Sequence, residues 1–237
     1  MPPLASIAVR RLQPEIMDQP GLSASAHCQA LEGLRRINAW SGSARILWAP
    51  LRRLASTLQR PIRVLDLACG GGDVAIRLAQ RARRSGIPLE ILGADVSEVA
   101  IHHASAAARR AGVSCRFFPM NALHDAMPHD CDVLTCSLFL HHLSEEDAVG
   151  LLRKMSEATR RLVLVNDLVR SRLGWLLAKA GTFLLSRSPV VHVDGPRSVE
   201  GAFRMDEVRE LANQAGLQGA EIEGRFPCRL LLTWSKP

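Results

Sequence analysis

The segment Asp66-Leu67-Ala68-Cys69-Gly70-Gly71-Gly72-Asp73 sets a carboxylate, three consecutive glycines and a second carboxylate within eight residues. Glycine lets a backbone adopt unusual dihedrals and come close to a ligand. Before it, Ile62 to Ala68 is a short apolar run rich in β-branched residues, which predicts a buried strand; after it, Val74 to Ser85 has helical spacing. A strand, a tight turn and a helix in that order form the nucleotide-binding edge of an open α/β sheet. Three ligand types use such a turn. A dinucleotide turn wants Gly-x-Gly-x-x-Gly, and Ala75 stands at its last position, a tolerated variant. A P-loop needs Gly-Lys-Ser/Thr, which is absent. The third places an acid at the strand end. Asp66 there repels a pyrophosphate and attracts an ammonium.

S-adenosylmethionine (SAM) satisfies that sign argument, because it carries an amino-acid ammonium and a sulfonium and has no phosphate. A second acid agrees with it. Asp95 closes the run Leu92-Gly93-Ala94-Asp95 and lies 25 residues after Gly70, where a carboxylate can accept both hydroxyls of a ribose. As a helix N-terminal acid, Asp95 would need no ligand at all.

Proton-transfer chemistry has fewer candidates. There is no Tyr in the chain, so a tyrosine base is excluded. His141 and His142 follow an apolar run, Cys131 to Phe139, and one of them is expected to face the pocket as a general base. Adjacent side chains are expected to point apart, so the pair alone does not make a metal site, and no metal is expected. His192 lies between Val191 and Val193 in a segment containing Pro and Gly, where a loop histidine could reach the site. Asn166 and Asp167 end another strand-like run, and either could orient an acceptor hydroxyl; Asp167 could instead cap the following turn.

The elements that must position these groups alternate. Strands are expected at Ile62 to Ala68, Glu90 to Asp95, Ser114 to Pro119, Cys131 to Phe139 and Leu162 to Asp167, with helices between them at Val74 to Ser85, Ser97 to Ala111 and Ser144 to Thr159. A last helix, Met205 to Ala215, precedes strands near Ala220 to Glu223 and Arg229 to Trp234. Strands separated by helices imply right-handed βαβ crossovers. The expected fold is α/β, a Rossmann-like seven-stranded mostly parallel sheet with helices on both faces. Residues 1–59, with apolar positions at helical spacing from Leu31 to Leu58 broken by Ser41-Gly42-Ser43, are expected to form a helical N-terminal cap of two or three helices. Residues 60–237 would form the cofactor domain. An insertion at about 169–204, an apolar helix and then an irregular segment, would be a lid after the fifth strand.

On these residues the chain resembles the class I SAM-dependent methyltransferases. Asp66 to Gly72 is similar to their Asp/Glu-x-Gly-x-Gly-x-Gly motif, with Ala68 in place of the first Gly. The resemblance implies that Asp66, Ala68 and Gly70 hold the methionine part of SAM, with Cys69 in the same turn, and that Asp95 and Val96, beside Ser97, hold the ribose and adenine. Asn121-Ala122 resembles the Asp-Ala step at the adenine amine, with an amide in place of the acid. Ser137 to His142 resembles the segment beneath the methionine. Asn38, Ser41-Gly42 and Trp48 are spaced like the entry segment of the quinone-biosynthesis methyltransferases, which folds over the cofactor.

Composition narrows the acceptor. The formal charge of +7 is spread over scattered Arg pairs, with no run of five basic residues and no interleaved aromatics, so solvated helix faces are expected rather than a nucleic-acid surface. The Asn/Asp-Pro-Pro-Tyr/Phe motif of amino-methylating enzymes is absent after the fourth strand. The six Cys form no Cys-x-x-Cys pair, which suits buried thiols in a reducing, cytoplasmic setting. No signal peptide is visible, and Leu173 to Leu185 is too short to span a membrane. The expected activity is methylation of a small hydrophobic hydroxylated acceptor, phenolic, polyketide-like or quinone-like, by a monomer or homodimer. Carbon methylation of a quinone-like ring, a non-catalytic SAM-binding protein and a nicotinamide oxidoreductase stay open.

Overall fold

The computed structural model describes residues 7–19 and 21–237. Two helices come first, α1 (Ala24–Ser41) and α2 (Ser43–Ala55). Gly42 separates them with φ of 73°, a left-handed conformation that glycine takes without strain. The alternating part follows: β1 (Ile62–Leu67), α3 (Asp73–Arg84), β2 (Leu89–Asp95), α4 (Glu98–Arg110), β3 (Cys115–Pro119), β4 (Val133–Ser137), α5 (Glu145–Ala158) and β5 (Leu162–Leu168). Then come α6 (Arg172–Leu185), α7 (Pro189–Gly201), α8 (Met205–Gln214), β6 (Glu221–Arg225) and β7 (Arg229–Ser235).

The seven strands order as β3-β2-β1-β4-β5-β7-β6. All neighbours are parallel except β7, which runs antiparallel to both β5 and β6. The expected sheet is therefore present. From β1 the chain winds outward to β2 and β3, then returns to the other side for β4. The crevice outside the carboxyl ends of β1 and β4 is the switch point where open α/β sheets bind ligands.

Alternation along β1 shows why both faces are covered. Leu65 and Leu67 pack with Leu151, Leu152 and Met155 of α5 and Val208 and Leu211 of α8. Ile62 and Val64 pack on the other face with Leu47 and Leu51 of α2 and Val74 and Leu78 of α3. Each fully buried Leu stabilises the fold by roughly 1.5–3 kcal/mol relative to exposure. Helix α2 thus covers the sheet, touching β5 and β7 as well as α3.

One sequence expectation is corrected. The segment after α6 is not irregular: Pro189 to Gly201 is helical. Pro189 is at the first turn, where its missing N–H would have no partner anyway. Gly195 is not a break but a contact. A Cβ there would collide with Thr182 Cγ2, so glycine lets α6 and α7 close on each other.

Candidate active site

A cavity of about 690 Å³ opens at the carboxyl edge of β1, β2 and β4. Its floor holds Asp66, Ala68, Cys69, Gly70, Asp95, Val96, Ser97, Asn121, Ala122 and Ser137, every cofactor candidate named from the sequence. Leu31, Leu34 and Ile37 of α1 and Leu177, Ala178, Gly181 and Leu185 of α6 supply apolar wall. The N-terminal segment adds Glu15, Met17 and Asp18.

The turn is built for close approach. Ala68 takes φ of 50°, Gly70 51° and Gly72 72°. A Cβ on Gly72 would lie 2.8 Å from both Ala104 Cβ and Phe117 Cζ, so the turn can seat on α4 and β3 only without a side chain. Asp95 ties the two cofactor stretches together: its Oδ2 accepts from Gly70 N at 2.8 Å and its Oδ1 from Ser97 N at 2.9 Å.

Asp66 is the decisive group. It is 1% exposed, and Oδ1 has no hydrogen-bond partner among the described residues. Burial, followed by the nearby charges of Asp73 and Asp95, pushes its carboxyl well above the usual range. Burial likewise raises Asp73 to about 6, although a bond from Asn38 Nδ2 at 3.4 Å opposes it. Asn38 Oδ1 and Asp73 Oδ2 are buried without partners too. A buried acceptor group of this kind lacks a cation, and an amino-acid ammonium fits it. The donor set therefore suits SAM. At the adenine end, Asn121 Oδ1 already accepts from Leu123 N at 2.9 Å and His124 N at 3.3 Å. The amide expected to receive the adenine amine is thus committed to a turn, and its Nδ2 is the end left to face a base.

At the other end, His141 is 5% exposed, and its Nδ1 lies 2.6 Å from Asp167 Oδ1. Asp167 also accepts from His141 N at 3.3 Å and Leu168 N at 2.6 Å. Burial alone would raise the Asp167 carboxyl, yet the charge and hydrogen bond of His141 hold it below its ordinary value. Nδ1 of His141 therefore carries the proton toward Asp167, and Nε2 is the atom left for an acceptor. Asp167 itself stands behind His141 rather than in the cavity wall.

His142 is at the same end. Its Nδ1 lies 3.1 Å from Asp18 Oδ2. Burial lowers its pKa, but the bond to Asp18 and the charges of Glu15, Asp18 and Asp167 outweigh it and raise it to about 9. The two rings do not point apart as expected: their centroids are 4.3 Å from each other. They sit on a single 3-10 turn, Leu140–His142, not on a strand where neighbours alternate. Glu15 Oε1 is 3.8 Å from His141 Nε2 and 3.9 Å from His142 Nε2, a spacing at which three donors could share one metal ion.

His192 lies elsewhere. Its Nε2 bonds the carbonyl of Ser186 at 2.9 Å, its ring packs on Phe183, and it does not line the cavity. Sequence reasoning missed Glu15 and Asp18. Asp194 of α7 fixes their segment by accepting from Ile16 N at 2.9 Å and Met17 N at 3.0 Å. No local pattern marks them, because their partners lie more than a hundred residues away.

Comparisons with known proteins agree with this fold. Residues 64–161 match the model of a methyltransferase domain. The chain is similar to a ubiquinone biosynthesis O-methyltransferase of Methylococcus capsulatus, 29% identical over 165 residues, which span 68% of this chain and 65% of that protein. A protein of the same description from Bordetella avium is 26% identical over 183 residues, 76% of this chain and 70% of that one. Among solved structures, a magnesium protoporphyrin IX methyltransferase from Synechocystis PCC 6803 with bound SAH (S-adenosylhomocysteine) shares the fold, with TM-score 0.53 and 16% identity, covering 90% of this chain and 84% of that one. A SAM-dependent methyltransferase from Aquifex aeolicus does so with TM-score 0.57 and 15% identity, covering 81% and 92%.

Proposed function

We propose that the chain is a class I SAM-dependent methyltransferase and that it methylates a hydroxyl of a small hydrophobic acceptor, phenolic or quinone-like. One observation carries the reading. A histidine anchored through Nδ1 by a buried carboxylate at 2.6 Å shares a cavity with the glycine turn and Asp66. The relatives described as ubiquinone biosynthesis O-methyltransferases support the choice of oxygen.

SAM supplies an already activated methyl group, so the protein need only position the acceptor, take its proton and keep water out. Asp66, Ala68 and Gly70 would hold the methionyl part, and Asp95 the ribose. His141 Nε2 takes the acceptor proton. Asp167 keeps the proton of Nδ1 in place and stabilises the imidazolium that forms. Leu34, Ile37, Leu177 and Leu185 form an apolar wall that dehydrates the reacting oxygen and favours an apolar acceptor. Helices α6 and α7 act as the lid.

The test uses labelled SAM with a panel of phenols and hydroquinones. Wild type should transfer label to oxygen. His141→Gln and Asp167→Asn should lose turnover while calorimetry with SAH stays unchanged. Label on ring carbon, or turnover that survives His141→Gln, would overturn the oxygen assignment. SAM binding without transfer to any acceptor would favour a binding protein. Activity should survive chelation; loss on EDTA treatment, restored by a divalent ion, would replace proton transfer to His141 by a metal held on Glu15, His141 and His142.

A further inference from the structure

Arg229 opens β7 opposite Leu168, at the carboxyl end of β5, and lines the cavity. It is 3% exposed. Nη2 donates to Ser41 Oγ at 2.7 Å, and Nη1 has no partner among the described residues. Burial lowers its pKa to about 10, with Asp167 and Asp73 opposing the shift, so it remains a cation at neutral pH. Neither carboxylate bonds it. Asp167 is engaged by His141 and Leu168, and Asp73 receives Asn38. A buried guanidinium with a free donor is costly unless something anionic completes it.

Its position says what that anion accompanies. Asn38 and Ser41 are three residues apart in α1 and so share a face. One bonds Asp73 and the other Arg229, so a single turn of α1 spans from the glycine turn to the guanidinium. Among the described residues, the buried unpartnered groups that line the cavity are acceptors at Asp66, Asp73 and Asn38 and a donor at Arg229. That set is complementary to a zwitterion, with the ammonium on the acid side and the carboxylate on the arginine side.

We propose that Arg229 is the carboxylate subsite of this cavity, donating through Nη1 to an oxygen of a ligand carboxylate. The methionyl carboxylate of SAM is one source and an acid group on the acceptor is the other. The inference rests on the cofactor placement proposed above. It predicts a specificity that apolar packing cannot give, since Arg and Lys differ at such a site.

The experiment compares wild type with Arg229→Met and Arg229→Lys. Calorimetry measures affinity for SAH and for its decarboxylated analogue, and thermal shift measures paired phenols and hydroxybenzoates in the presence of SAH. If the cofactor is the source, wild type prefers SAH over the decarboxylated form by at least tenfold. Arg229→Met removes that preference without weakening the decarboxylated ligand, and Arg229→Lys keeps part of it. If the acceptor is the source, SAH affinity is unchanged and the preference for hydroxybenzoate over phenol disappears instead. A variant that keeps both preferences overturns the proposal. The ligand-free Arg229→Met protein should melt no lower than wild type, because it lacks a buried unpaired charge; should it fail to fold, unchanged preferences in Arg229→Lys overturn the proposal equally. Failure of wild type to bind SAH at all would refute the cofactor placement, which is a separate outcome.

Discussion

Replacing Asp66 by Asn keeps the shape of the side chain and removes its charge. In the ligand-free protein the change should be neutral or stabilising. Asp66 is 1% exposed, its Oδ1 is unpartnered, and burial beside Asp73 and Asp95 already disfavours its anion. In the complex the loss is that of a buried charge-assisted contact to an ammonium. Truncating such pairs costs about 2–5 kcal/mol. Part of the wild-type gain is offset by ionising a carboxyl whose pKa is raised, so the lower end applies. About 2–3 kcal/mol corresponds to a roughly 30- to 150-fold weaker Kd for SAH. Protons report the same event. The raised pKa means that the free site holds a proton over a wider pH range, and an arriving ammonium expels it. Wild type should therefore release protons on binding at any pH where free Asp66 is still protonated, and its affinity should climb with pH until that carboxyl is ionised. The sign for folding is opposite. A carboxyl raised in the folded state adds stability below its unfolded pKa and loses it as pH rises through the folded one. Calorimetry in two buffers of different ionisation heat measures both affinity and proton release. An Asp66→Asn protein that binds SAH within threefold of wild type, with proton release unaltered, would refute the electrostatic account of this turn.

His141→Gln and Asp167→Asn should each lower kcat roughly 10²- to 10⁴-fold, the range of general acid–base catalysis, with single-turnover label transfer as the readout and SAH affinity held within threefold. His192→Ala should leave kcat unchanged and lower stability by about 1 kcal/mol, the worth of one hydrogen bond to Ser186, in a urea melt. Gly72→Ala should cost about 2–4 kcal/mol, since it combines a left-handed φ with a Cβ 2.8 Å from Ala104 and Phe117. Gly86→Ala, with φ of 64° and open space around it, should cost only about 1–2 kcal/mol, and equal losses at the two positions would contradict the packing argument.

What is legible in the sequence is what short stretches of chain determine. β1, the glycine turn and α3 follow one another without a gap, so their type and order show in the residues, and Asp95 can be placed from the alternation that continues into β2. The expected helices begin at Ser97 and Ser144, and in the fold each serine accepts from a backbone N–H three residues on. The rest depends on contacts between distant residues. α7 contains Pro189, Gly195 and Pro196, which read as breakers until Thr182 shows why Gly195 is small. Arg229 stands before an apolar run, Leu230 to Leu232, and its burial comes from α1 closing over it. Glu15 and Asp18 belong to a Pro-containing segment whose order comes from α7 and from the histidines. The histidine pair escapes the sequence because alternation fails where the backbone makes a turn.

The attachment of the segment Arg10 to Asp18 has a consequence for traffic. Arg10 is tied to the carbonyls of Gly201 and Leu143, and Ile16 and Met17 to Asp194, yet the Ile16–Asp18 turn contributes no buried residue. A handful of hydrogen bonds, each worth roughly 0.5–1.5 kcal/mol, hold it against α7 and the turn that carries the histidines. Like a hasp, the segment carries Glu15 with it: lifting it to open the cavity would take that carboxylate away from both His141 and His142.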